Sequence, residues 1–318
     1  MRKSNRLIAS VWEGLLLAWG SRACWGYRIL VHAPVFLAGV AAIAGAGFIA
    51  HLTGFIAALL VAALCAGTLA VLVYNGVVTV SLLASADVEH GLVLAELAQK
   101  HEVPDGPGQL AWARQRAAVA DAPPVWVLLR IRRAMQAIHE RMNDVGDVFP
   151  AFAPDRAPSW ARWLLARCTS PMAGALAARA FADTSGNTAS RARESLLLYT
   201  AVWHDAFRWN AALWGTGWMF MMGAVALAAL PLMWAAAASV LAVQATAAML
   251  ALWTGFALQR LVMRPILEAA ALVMLEEMTQ GSSAPPDAEP RLREVSAAFR
   301  ELENRAQEAS ELENGQSV

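Results

Sequence analysis

The chain has 318 residues, 58% of them hydrophobic and 16% charged, with a positive mean hydropathy. That balance is too apolar for an ordinary water-soluble protein. Twenty-five basic residues offset 25 acidic ones, so charge gives no reason to expect nucleic acid as a partner. Lysine occurs only as Lys3 and Lys100; the arginine and alanine bias is that of a GC-rich bacterial genome. The three cysteines, Cys24, Cys65 and Cys168, have no CxxC spacing, which indicates neither a disulfide framework nor a zinc site.

Residues 1–28 are expected to form an amphipathic interfacial helix. Leu7, Ile8, Val11, Trp12, Leu15, Leu16 and Trp19 fall at helical spacing. Trp12, Trp19 and Trp25, with Arg22 and Arg28, suit a helix anchored at the headgroup level. The alternative is that these tryptophans pack on the protein's own polar domain. Glu13 and Arg22 interrupt any signal-peptide core, so no cleaved leader is expected.

From Ile29 to Ala86 there is no Asp, Glu, Lys or Arg, and the strongly polar residues are His32, His51 and Asn75. A single helix of that length would far exceed a bilayer core of about 30 Å. The segment 29–86 therefore reads as a transmembrane hairpin, spans about 30–50 and 55–83, with its turn at His51–Gly54. Alanines recur every four residues at Ala38, Ala42, Ala46 and Ala50, then at Ala58, Ala62, Ala66 and Ala70. Small residues at that spacing let helix backbones approach closely in lipid.

Residues 87–208 read as a helical cytoplasmic domain. An apolar–acidic stretch, Leu92–Ala98, precedes a breaker-rich Val103–Gly108. Trp126–Asn143 is the clearest amphipathic helix, with Leu128, Ile131, Met135, Ile138 and Met142 on one face and Pro123-Pro124 before it. An irregular loop is expected over 144–157, a cap at Ser159 and a turn at Asp183–Thr188. Arg191–Arg208 should be helical and feed the next span, with Trp203, Trp209, Trp214 and Trp218 as an aromatic belt.

Residues 209–259 are again free of formal charge and read as a second hairpin. Its spans are placed at Ala211–Leu230 and Ala235–Ala257, with the turn at Pro231. Arg260 and Arg264 stop it and anchor it at the interface. The segment 260–280 carries Glu268, Glu276 and Glu277 and is expected to lie flat on the membrane or pack on the polar domain. Residues 281–318 form a linker and a charged C-terminal helix. Leu292, Val295, Phe299, Leu302, Ala306 and Ala309 would make a weak coiled coil at best, and a docked helix serves equally. Hairpin, charged exit and acidic apolar helix occur in the same order twice, which would make the halves a parallel repeat.

The expected fold is thus an all-α integral membrane protein: two transmembrane hairpins, four spans, a helical cytoplasmic domain between them and a helical tail. Every Lys and Arg lies outside the two charge-free runs. The positive-inside rule then places both termini and the central domain in the cytoplasm of a bacterial inner membrane. The lipid bilayer is the first expected partner; other membrane subunits, or copies of the chain, are the next.

Catalytic signals are sparse. Asn75 and Gln244 are the amides well inside the spans, read as interhelical hydrogen-bond partners or as pore-lining groups. Glu89-His90, His101-Glu102, His139-Glu140 and His204-Asp205 pair an imidazole with an acid but lack metal-ligand spacing; chance adjacency accounts for them. No GxSxG, GxxxxGK[ST] or GxGxxG phrase occurs, so no cofactor and no enzyme activity are expected. The two-span, cytoplasmic-domain, two-span, tail layout resembles the A-type stator subunits of flagellar motors. That likeness covers topology alone: Trp209–Phe220 does not match the Pro–Gly-rich start of that family's third span, and no residue role follows. The expected function is a non-catalytic scaffold subunit of a multi-protein machine, such as a secretion or conjugation system. A channel or uncoupled permease, lined by Asn75, Gln244, Thr68, Thr79 and Ser81, is the alternative.

Overall fold

The computed structural model describes residues 2–53, 82–120, 122–142, 145–149, 151, 158–161, 170–182, 187–237 and 241–315. Every regular element among them is helical. In chain order these are α1 (Arg2–Gly20), α2 (Arg22–Thr53), α3 (Leu82–Ala98), α4 (Pro107–Val119), α5 (Pro124–Ala137) and α6 (Val145–Val148). There follow α7 (Ser170–Ala182), α8 (Thr188–Ala236), α9 (Leu241–Leu258), α10 (Arg264–Thr279), α11 (Ala288–Val295) and α12 (Ala297–Gly315). The chain divides into two compact units: Met1–Trp25 with Asp87–Gly215 and Ile266–Val318, and Gly26–Ala86 with Thr216–Pro265.

The first unit is built around α10. Ala269, Ala270, Ala271 and Leu275 are wholly buried, and Leu267 and Leu272 nearly so. Of the two expectations for this segment, packing within the polar domain is the one observed. It is no surface helix, because small residues on its neighbours let it be enclosed. On α1, a Cβ at Gly14 would stand 2.6 Å from the Ile266 carbonyl and 2.8 Å from the Ala270 nitrogen. On α7, Gly174 lies against the Glu268 side chain. Helix α7 in turn meets α3, with Gly91 against Ala178, and packs along α5.

Helix α5 begins where its sequence indicates, with Pro124 in the first turn, and buries Val127, Leu128, Ile131, Ala134 and Met135. Along it lies α12, whose Phe299 and Leu302 are fully buried, as is Leu292 on α11. Ion pairs flank this packing: Arg130 of α5 with Glu301 of α12, and Arg193 of α8 with Glu289 of α11 at 2.7 Å. Arg293 Nε donates to Glu303 at 2.9 Å, and that hydrogen bond holds the Glu303 carboxyl below its ordinary range. The C-terminal helix is therefore docked on its own chain.

Helix α1 presents two faces. Ser10, Gly14 and Ala18 are buried, while Ile8, Trp12, Leu16 and Trp19 are more than half exposed. The helix thus packs through small residues and leaves its apolar stripe outward. At its end the Gly20 carbonyl accepts from Gln109 Nε2 of α4 at 3.1 Å. Hydrogen bonds Ser21 N to Leu17 O and Trp25 N to Ser21 O carry the chain almost without a break into α2.

The second unit is held by a seam between α2 and α9. His32, Phe36, Gly39, Ile43 and Ala50 form the buried stripe of α2. Of the alanine series, Ala38 and Ala42 are exposed, Ala46 is half-buried and Ala50 is buried, and glycine supplies the closest approaches. A Cβ on Gly39 would overlap the Trp253 indole at 2.2 Å, and one on Gly47 would meet Thr246 at 2.0 Å. With that space open, Trp253 Nε1 donates to the Phe36 carbonyl at 2.9 Å, and the Phe36 and Phe256 rings close around it. Gly255 does the same against Val225 of α8.

Helix α8 has 49 residues, about 73 Å at the usual helical rise. It passes through Pro231 and ends only at Ala236, so the turn expected at Pro231 does not fall there. A proline costs a helix one hydrogen bond, and a long apolar helix absorbs that without ending. Two helical stretches among the described residues are long and apolar enough to cross a membrane, Arg22–Leu52 and Thr188–Ala236. The expected span 55–83, with its alanine series, lies outside the described residues.

The seam yields a direct test. Gly39→Val is expected to cost about 1–3 kcal/mol and to lower the thermal midpoint of the detergent-solubilised protein. Ala38→Val, one residue away on the exposed face, should leave that midpoint within experimental error.

Candidate functional site

Within the first unit, five helices converge on a polar cleft of about 320 Å³. Helix α3 and the residues after it supply Glu96, Gln99 and His101; α4 supplies Arg116; α7 supplies Arg179 and Ala182. The start of α8 contributes Arg191, Glu194, Ser195 and Leu198, and α10 contributes Glu276.

Glu96 organises one wall. It sits in an otherwise apolar stretch of α3 and is 3% exposed, a position a carboxylate holds only with partners. Its Oε1 accepts from Arg116 Nη2 at 3.1 Å, and its Oε2 lies 2.6 Å from His101 Nδ1. Arg116 also reaches the Ala182 carbonyl, at 3.5 Å, and rests on the Trp112 ring. Opposite, Arg179 Nη1 donates to Thr279 Oγ1 at 2.7 Å and its Nε lies 3.7 Å from Glu276. Arg191 donates to Thr188 Oγ1 at 3.1 Å.

The loop that returns His101 to Glu96 is strained. Lys100 has φ of 61°, the one left-handed non-glycine among the described residues. Two hydrogen bonds enforce it, Lys100 N to Leu97 O and His101 N to Glu96 O. This is the double-bonded close of a helix whose C′ position usually holds glycine. A lysine there costs about 1–2 kcal/mol, and such strain tends to collect at functional sites.

The four sequence-adjacent histidine–acid pairs dissolve into other contacts. His90 is buried, its Nε2 2.7 Å from Ser21 Oγ; since that hydroxyl donates to the Ala18 carbonyl, the imidazole is the donor. His139 lies in a π-turn at the end of α5, with Nε2 2.8 Å from the Tyr199 hydroxyl and its ring 4.5 Å from that of Phe207. His204 approaches the Asp147 carbonyl at 3.2 Å. His101 bonds Glu96 rather than its neighbour Glu102. Among the described residues no three of His, Cys, Asp or Glu are grouped to hold a metal ion.

A further, partly buried carboxyl lies near the α1–α2 junction. Glu89 is 3.5 Å from Arg114, yet burial outweighs that cation and raises its carboxyl above the ordinary value of 4.5.

The residues singled out from the sequence are dispersed. Trp12 and Trp19 are exposed on α1, and Trp25, Trp209 and Trp214 are half-buried. Arg28, expected at the membrane surface, is 1% exposed, because it falls on the buried stripe of α2 four residues from Cys24 and from His32. Arg264 is likewise buried; Arg260 is half-buried above the Phe256 ring. Gln244 is half-buried on α9, while Asn75, Thr68, Thr79 and Ser81 lie outside the described residues. The cleft residues were not anticipated as a group. Their signal was an acid inside each of two apolar helical stretches, Glu96 and Glu276, each requiring a cation from elsewhere. No protein-family model, no curated protein and no solved structure matches the chain.

Two substitutions follow. Lys100→Gly is expected to raise stability by up to about 1 kcal/mol, read as a higher thermal midpoint. For Glu89, the native state holds the proton more tightly than the unfolded chain. Its stabilising contribution is therefore full below the ordinary carboxyl value and lost as pH rises through the native one. Glu89→Gln should raise the midpoint at pH 7.5 and lose that advantage on acidification to pH 4.

Proposed function

We propose that the protein is a non-catalytic, multi-pass subunit of a larger assembly in the bacterial inner membrane, such as a secretion or conjugation machine. One observation carries the membrane part of this reading. In the two long apolar stretches only 22% and 11% of the most apolar window is buried. Leu37, Leu227, Leu230 and Trp234 are each at least 66% exposed. The core helix of a soluble protein buries such residues, and outward-facing apolar surface on this scale calls for lipid or a partner.

The four-span arrangement uses α2, the expected span 55–83, the apolar part of α8, and α9. Helix α9 has 18 residues without formal charge, about 27 Å, which approaches the thickness of a hydrocarbon core. Arginine in the charged segments and none in the expected turns orients both termini toward the cytoplasm. The exposed Ile8–Trp12–Leu16–Trp19 stripe then lies at the headgroup level, beside a helical body whose charged faces are free for partners.

The test starts from native membranes. The protein should stay in the pellet after alkaline carbonate and enter solution only with detergent; release by carbonate would overturn the membrane reading. Mass measurement of the gently extracted particle should then find stoichiometric foreign subunits. A clean homo-oligomer would sink the assembly role and favour the channel.

A further inference from the structure

The polar cleft plays no part in holding a chain in a membrane, and we propose that it binds a small zwitterion, a molecule carrying one anionic oxygen group and one protonated amine. Its volume of about 320 Å³ lies at the lower end for small-molecule sites. Of its lining residues only Ala182 and Leu198 are apolar. Nothing there holds an acyl chain, so the ligand is polar.

Charge selects among polar ligands. Three guanidiniums, Arg116, Arg179 and Arg191, face three carboxylates, Glu96, Glu194 and Glu276. A dianion is opposed by the acids and a diamine by the arginines. A neutral molecule with two separated charges meets a complement for each. Glu96 is occupied with Arg116 and His101, whereas Glu194 makes no hydrogen bond or ion pair among the described residues and is exposed. Glu194 thus offers the amine site. The guanidiniums of Arg116, Arg179 and Arg191 supply the positive charge that faces the anionic group. The strained Lys100 turn, which returns His101 to Glu96, fixes this wall before any ligand arrives.

Two sources share this chemistry: free amino acids and the glycerophosphoethanolamine headgroup of lipids. The test is calorimetric titration of the full chain in dodecyl maltoside micelles. Individual amino acids and glycerophosphoethanolamine are compared with phosphate, succinate and putrescine. At least one zwitterion should bind saturably, tenfold or more tighter than every single-sign probe. An amino acid as the tight ligand identifies a free solute and glycerophosphoethanolamine a headgroup; both support the proposal. Glu194→Gln, at an exposed position, should weaken binding at least tenfold with no change in thermal midpoint, and Arg191→Gln should weaken it at least tenfold by removing a cation from the lining. Phosphate, succinate or putrescine binding as tightly as the zwitterion would overturn the proposal. So would the absence of any binding, or binding unaltered in both variants. None of these outcomes depends on whether the protein belongs to a larger assembly.

Discussion

Enclosing a helix on all sides demands that its neighbours come within backbone distance, and in the first unit α10 imposes that demand. Three consecutive alanines at 269–271 are wholly buried, so partners must close in from more than one direction. Gly14 permits it on α1, where any side chain would strike the Ile266 carbonyl. On α7, Gly174 lies against the Glu268 side chain at ordinary contact distance. Most else in the unit follows from these approaches: α7 positions Arg179, α10 positions Glu276, and α3, packed on α7 at Gly91, brings Glu96 to the same cleft.

Electrostatics then works on two scales. Around the tail, Arg130–Glu301, Arg193–Glu289 and Arg293–Glu303 are partly exposed pairs, each of modest worth in water. They specify how α11 and α12 lie more than how firmly, because Leu292, Phe299 and Leu302 supply the burial. In the cleft the same residue types do something else. Glu96 is nearly inaccessible, and removing Arg116 from it would strand a buried charge.

The all-helical character of the described residues was legible from the period of the apolar residues, and the long apolar helices from their lack of charge. The start of α5 was legible because proline has one natural place in a helix. What escaped is what depends on a second helix. Residue type alone makes Arg28 the basic residue before a charge-free run; its angular position, in register with Cys24 and His32, sets its burial. The spacing of Ala38 and Ala42 suits a packed face, but both are exposed. Proline marks a stop at 231, yet α8 runs on through it. The cleft was invisible as a unit because its residues come from positions 96 to 276, and only the packing of α7 between α3 and α10 joins them.

The glycine seam of the second unit has an evolutionary consequence. Outward positions such as Leu37, Leu227 and Trp234 touch little of their own chain, so one residue replaces another there at little cost in packing. Gly39, Gly47 and Gly255 have almost no permitted substitutes, since each faces atoms closer than a methyl group tolerates. Drift in such a chain erases overall similarity quickly and leaves a sparse signature: two glycines eight residues apart on one apolar helix, facing an indole and a hydroxyl on another. Distant kin would be recognised by that spacing rather than by the share of identical residues.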